Sequence, residues 1–323
     1  MEYSPNGQKT VAPIVSFVVL AKDSAAEKIV SCINSIRNLS LRNDEREIFV
    51  VDDGSDTSLM SGVSDALQDV VFVRQPRSGV EAAMDLGLRL ATGRYVQFVF
   101  SADTLMLDGY GHCLDIIRYK SPDMVIFKLS YGKEPSLDFD DTEIDGGADY
   151  LLHNTIDSRP WGYAFDRKLV LGREYSVKTF SSFEEFTVLL LLKSQLVLST
   201  SAPACLCSRL AAQEKNKTGK REMLKRLDAQ FGIIRRLNEL SYKLPVSERC
   251  AIERRVAELT MDYIISVAVD ARFSNQLKNR IAELERLALF PLPDRKYGKK
   301  YYLFSKLTKN RFVRSALIRL LSL

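Results

Sequence analysis

Histidine is nearly absent from this chain. Only His112 and His153 occur among 323 residues, too few to build a zinc site or a Ser-His-Asp triad, so carboxylates must carry most acid/base work. Long apolar runs are missing as well. The run Val188 to Leu192 falls far short of the roughly 20 residues a membrane-spanning helix needs, and the polar stretch Met1 to Thr10 lacks the apolar core of a signal peptide. A cytoplasmic protein is the default expectation. The five cysteines show no paired metal-ligand spacing. Cys205-Leu206-Cys207 is a close pair with no nearby His or second pair, and packing as small apolar residues is favoured over a metal or redox role. No glycine occurs in Lys22-Asp23-Ser24-Ala25-Ala26 after the first predicted strand, which excludes a dinucleotide-binding turn; the phosphate-loop pattern is lacking too.

Acidic residues are scarce at the C-terminal end. From Asp294 to Leu323 there are nine Lys/Arg and one acid; removing them from the totals of 46 and 41 leaves 37 against 40. The net charge of +5 is therefore a property of the tail.

What is present begins with Ile48-Phe49-Val50-Val51-Asp52-Asp53-Gly54-Ser55. A short β-branched and aromatic run stops at two carboxylates, a glycine and a hydroxyl, as in a strand of a parallel sheet covered by helices. Ligands of such sheets lie beyond the carboxyl ends of the strands. Further strands are expected at Val15–Ala21, Val70–Arg74, Tyr95–Phe100 and Met124–Leu129, alternating with helices at Ala25–Asn38, Gly79–Ala91 and Asp108–Arg118. Beyond them, Lys133–Gly147 reads as a loop and Ala164–Val177 as mixed short elements. Phe183–Lys193 reads as a helix and Gln195–Thr200 as a strand. From Gly219 onward the pattern is helical, with Ser247 a plausible N-cap and the last helix ending before Pro291 and Pro293. Asp23, Asp52, Asp53 and Asp103 then fall at strand ends on one edge of the sheet. Each alone could cap a helix or make a turn; together they favour a site for a cation, a sugar or the N–H groups of a base.

Four ordered segments resemble the family 2 glycosyltransferases of the GT-A fold, which use nucleotide-sugar donors. They are Val15 to Asp23, Val50 to Ser55, Gly79 to Gly87 (GVEAAMDLG) and Ala91 to Val96 (ATGRYV), together covering about residues 12 to 110. A looser likeness continues at Trp161–Leu171 and Ser182–Phe186. The fold this implies is α/β: a GT-A (Rossmann-like), mostly parallel sheet covered by helices, followed by a helical C-terminal extension. The implied organisation is a transferase domain over 12–210, a helical region over 219–290 and a basic amphipathic tail over 294–323.

The resemblance places the nucleotide base against Leu20, Ala21, Lys22 and Asp23 and on the Asp53 carboxylate, and the donor phosphates near Gly79. Lys22 stands where the family is often aromatic; it either supplies charge near the nucleotide or is a solvated lysine. Glu185, with Glu184 beside it, matches the position of the catalytic base, although both acids could simply open a helix. Trp161 is the acceptor-wall candidate, against a core role. The family's Asp-x-Asp-Asp metal motif is reduced to Phe100-Ser101-Ala102-Asp103, so divalent metal (Mn or Mg) is doubtful. Asp103 is left to reach a metal, touch a donor-sugar hydroxyl or cap a helix. The implied function is an inverting transfer of a sugar from a UDP-sugar to a glycan or lipid-linked acceptor in cell-surface polysaccharide synthesis. The alternative is an inactive transferase-like binding or scaffolding protein. The aromatic and basic tail favours peripheral docking on the anionic inner face of a membrane, equally with a plain packed helix, over nucleic acid.

Overall fold

The computed structural model describes residues 12–57, 59–132, 138–171, 182–208, 219–269 and 276–309. By packing, the chain divides into two compact units: Met1–Gly147 with Asp157–Asn216, and Ala148–Ile156 with Lys217–Leu323. Ala148–Ile156 groups with the second unit although it lies within the sequence span of the first.

The first unit opens with β1 (Val15–Ala21), α1 (Ala26–Arg37), β2 (Arg46–Asp53), the short α2 (Met60–Val63), β3 (Val71–Gln75), α3 (Val80–Leu90) and β4 (Tyr95–Phe100). All of β1 and β4 is buried, as near-continuous apolar runs between two helical layers require, with Ser16 and Gln97 the polar interruptions. In α1 the buried residues are Ile29, Cys32, Ile33 and Ile36, one stripe at helical spacing. Then come β5 (Thr104–Leu105), α4 (Leu107–Lys120), β6 (Met124–Ser130), β7 (Asp141–Asp145), β8 (Tyr163–Asp166), α6 (Phe183–Lys193) and β9 (Leu196–Leu206), while α5 (Gly147–His153), between β7 and β8 in sequence, falls almost wholly in the second unit.

The sheet order is β3-β2-β1-β4-β8-β6-β9-β5, with β7 paired to β9. The β3-β2-β1-β4 portion is parallel throughout. Beyond it the sheet is mixed: β8 runs antiparallel to both β4 and β6, β6 is parallel to β9, and β5 and β7 are antiparallel to β9. β5 and β8 are not among the expected strands, and β7 and β9 also differ from the sequence expectation. β7 lies inside the stretch read as a loop; its exposed acids suit an edge strand, where charge blocks further pairing, but they hide the strand signal. β9 extends six residues past Thr200, through Pro203 and several small residues. Its pairing with β6 shifts register around Lys128, opposite Pro203, as expected where a proline interrupts a ladder.

In the second unit, α7 (Lys220–Ser241), α8 (Val246–Val269), α9 (Leu277–Arg286) and α10 (Lys299–Lys309) follow in order. At the heart of α8, Glu258 is buried between Arg254 and Arg255, at 3.1 and 3.3 Å. Arg254 also donates to the carbonyls of Leu152 and Tyr297. The end of the basic tail, residues 310–323, lies outside the described residues. Among those described, no helix is long and apolar enough to cross a membrane.

Candidate functional site

The parallel register sets Ala21 beside Asp52 and Leu20 beside Phe100, so β1, β2 and β4 end at one level. A cavity of about 230 Å³ opens there. Leu20, Ala21 and Lys22 line it from the end of β1, Asp53 from β2, and Phe100, Ser101 and Ala102 from the end of β4. Val80 and Ala83 of α3 and Ser24 complete it.

The two adjacent aspartates have different tasks. Asp52 is fully buried; its Oδ1 accepts the Ser55 N–H at 3.0 Å and the Ser55 hydroxyl at 2.6 Å, and Arg74 stands 3.4 Å from Oδ2. It shapes the turn. That turn needs Gly54, whose φ is +64° and whose missing Cβ would lie 2.5 Å from the Arg77 nitrogen. Asp53 faces the cavity. Its Oδ1 accepts from Gln75 Nε2 at 2.9 Å and the Ser78 N–H at 2.8 Å, and the Gly79 N–H is shared between Oδ1 and Oδ2 at 3.1 and 3.0 Å. Burial pushes this carboxyl up, but those hydrogen bonds and the Lys22 charge outweigh it, and its pKa lies below the usual carboxylate value. Asp53 thereby ties the end of β2 to the N-terminus of α3, next to the cavity.

The other site candidates separate into groups. Leu20, Ala21, Lys22 and Asp53 gather at the cavity, with Gly79 hydrogen-bonded to Asp53 at its edge. Asp23 turns away from it. Its carboxylate accepts the Asp56 N–H at 2.8 Å and pairs with Arg77 at 2.9 Å, and its own N–H donates to Ser55 Oγ. Asp103 is buried, and its Oδ1 accepts the Ser208 N–H at 2.9 Å; it is not among the residues lining the cavity. Trp161 packs edge-on against Phe100, 4.5 Å between ring centroids, and against Phe183 at 5.7 Å. This row of rings runs from the cavity wall to the first turn of α6, which carries Glu184 and Glu185. Both glutamates are buried. Ser182 caps the helix by accepting the Glu185 N–H at 3.2 Å, with its hydroxyl 3.4 Å from the Glu185 carboxylate, a local capping arrangement.

Sequence reasoning missed Ser24 and Ser101, whose hydroxyls meet at 2.6 Å on the cavity rim. Loop serines carry no distinctive signal; the only hint was that Ser101 stands inside the altered acidic motif. The cavity does not fit a hard divalent ion. Ser101 and Ala102 offer no carboxylate, Asp53 is already bonded to N–H donors, and Asp103 is engaged elsewhere.

A parallel sheet edge with a cavity beyond β1, β2 and β4, joined to a mixed second half, defines the GT-A class of fold. Residues 16–144 match the family model described as glycosyl transferase family 2. No curated protein matches the chain in sequence. Among solved structures, S. aureus TarS is similar with a TM-score of 0.51 and 17% identity, covering 91% of this chain and 55% of that one. This chain therefore spans little more than half of that protein. S. aureus TarS 1-349 in complex with UDP gives 0.51 and 18%, covering 94% and 91%. The same fragment in complex with UDP-GlcNAc gives 0.50 and 18%, covering 94% and 92%. At this identity the likeness establishes the fold.

Proposed function

We propose that this protein is an inverting glycosyltransferase that moves a sugar from a UDP-type donor to a glycan or lipid-linked acceptor in cell-surface polysaccharide synthesis. The observation that carries the reading is the cavity beyond β1, β2 and β4, which collects Leu20–Lys22 and Asp53 within the family 2 segment. Supporting the donor class, the TarS fragment is known in complex with UDP and with UDP-GlcNAc. Asp53 holds the base: a carboxylate has about four acceptor sites, and Oδ2 receives one shared N–H, which leaves room for an imide N–H. Lys22 supplies positive charge near the diphosphate. Glu185 takes the acceptor hydroxyl proton from the first turn of α6, with Glu184 beside it, and Trp161 forms part of the acceptor side. No divalent ion is needed at the cavity for these roles.

Calorimetric titration with UDP, with and without manganese, tests the reading. Binding of equal strength in both conditions is expected. Glu185→Gln should leave UDP affinity unchanged and lower sugar transfer about 10²–10⁴-fold, the usual worth of a positioned base. Unchanged transfer would assign the base elsewhere. The scaffolding alternative is favoured by the missing carboxylates at Phe100 and Ala102; nucleotide binding with no donor hydrolysis across a panel of nucleotide-sugars would establish it.

The acceptor side of the proposal includes an anionic membrane surface. α10 exposes Leu303 (61%) and Leu307 (40%) in a stretch rich in lysine, although Lys300 pairs with Asp262 and both Lys306 and Lys309 with Asp294. Leu303→Glu with Leu307→Glu, both surface changes, should reduce flotation with phosphatidylserine vesicles. Equal flotation of the variant and the parent would remove the membrane from the proposal.

A further inference from the structure

The end of β9 carries Cys205, and Cys207 directly after it, into a place that no local pattern announces. Cys205 and Cys207 stand two residues apart along the strand direction, so their side chains share a face. β5 pairs antiparallel with this end of β9, with Leu105 opposite Cys205 and Thr104 opposite Leu206. Continued by one residue, the register sets Asp103 opposite Cys207, on the same face. The ligand atoms of Asp103, Cys205 and Cys207 all lie within 4.8 Å of one another, and all three residues are buried. A tetrahedral ion with zinc–sulfur bonds of about 2.3 Å holds its sulfurs roughly 3.8 Å apart, which small side-chain rotations reach from here. Cys32 of α1 belongs to the same apolar core, its thiol 3.7 Å from the Phe100 carbonyl.

We propose that Cys205, Cys207 and Asp103 form a site for a thiophilic divalent ion, Zn²⁺ in particular. The donor set argues for this class of metal: two thiolates and one carboxylate select zinc over magnesium or manganese. Charge argues in the same direction. Binding replaces two thiol protons by one dication, so the buried cluster keeps the single negative charge of Asp103. Without an ion, the two thiols share a hydrogen bond. Cys207 retains 8% exposure, an edge by which an ion enters. The consequence reaches the cavity, because Asp103 directly follows Ala102 of its lining. An ion here ties the chain leaving β4 to β9 and fixes that wall. This site is separate from a metal on the donor phosphates, and the inference stands whether or not the proposed donor is correct.

The test uses the full chain, purified under reducing conditions without chelator. One zinc per chain should survive gel filtration, measured by mass spectrometry of the metal. The Co²⁺-substituted protein should show thiolate-to-cobalt charge-transfer absorption. Cys205→Ser and Cys207→Ser should each remove the band and the stoichiometric zinc, Asp103→Asn should weaken zinc binding at least about tenfold in competition with a chromophoric chelator, and Cys250→Ser, an exposed cysteine of the second unit, should change nothing. Absence of the charge-transfer band in the parent protein, or its persistence in the double serine variant, would overturn the proposal and leave a hydrogen-bonded thiol pair in a core. The parent measurement decides even if a variant does not fold.

Discussion

At the residue scale, one carboxylate does two jobs. Asp53 lines the cavity and also satisfies the N–H groups of Ser78 and Gly79 at the start of α3. Asp53→Ala would leave those donors without their acceptor, so thermal or denaturant unfolding should show a loss of about 1–3 kcal/mol, together with weaker UDP binding. The pH dependence follows from the sign of its shift. The folded pKa is depressed below the unfolded value of about 3.9. Its contribution to stability is therefore complete above that value and is lost as pH falls through the folded pKa. Asp53→Asn should accordingly reduce stability at pH 7 and converge on the parent in strong acid; equal differences at both pH values would remove this linkage. Asp53 was legible because an apolar run ended on it. The role of Asp52 was not: both acids end the same strand, and only the turn geometry sends one inward to Ser55 and the other to the cavity.

At the element scale, close approaches hold helices to the sheet. Gly109 of α4 stands against β9, where a Cβ would lie 2.1 Å from the Pro203 carbonyl oxygen. Backbone cannot yield as a flexible side chain does, so Gly109→Ala should cost at least the 1–3 kcal/mol typical of overpacking, roughly, read as a lowered unfolding midpoint. A variant as stable as the parent would show that α4 shifts freely. This contact also bears on the cysteine site, since β9 must keep its register against β5. The helices and the parallel strands were legible through their periodicity and their near-continuous apolar runs. β7 and the far end of β9 were not, because exposed acids and a proline carry the signals of loops, and only pairing partners distant in sequence make strands of them.

At the scale of the whole molecule, the two units rest on different physics. The first is an apolar sheet between helices. The second keeps an ionic group inside: Glu258 receives hydrogen bonds from Arg254 and Arg255 in α8. Breaking such a group leaves buried cations poorly compensated. Glu258→Ala should destabilise the second unit by about 3–5 kcal/mol, seen as earlier proteolysis of residues 219–309, while UDP binding by the first unit persists. Simultaneous loss of both would mean that the units unfold as one.

The sequence by itself determined the alternating α/β pattern, the match of residues 16–144 to a family model and the strand end at which Asp53 stands. Those properties are written in runs and spacings of a few residues, and strand or helix formation reads them locally. Tertiary structure alone decided which acids face the cavity, that Asp103 leaves it for Ser208 and the two cysteines, and that Trp161 links Phe100 to Phe183. Each of these depends on side chains brought together by the pairing of strands far apart in the chain, such as Thr104 with Leu206. The free energy of such contacts comes from burial and geometry that no short stretch of sequence contains.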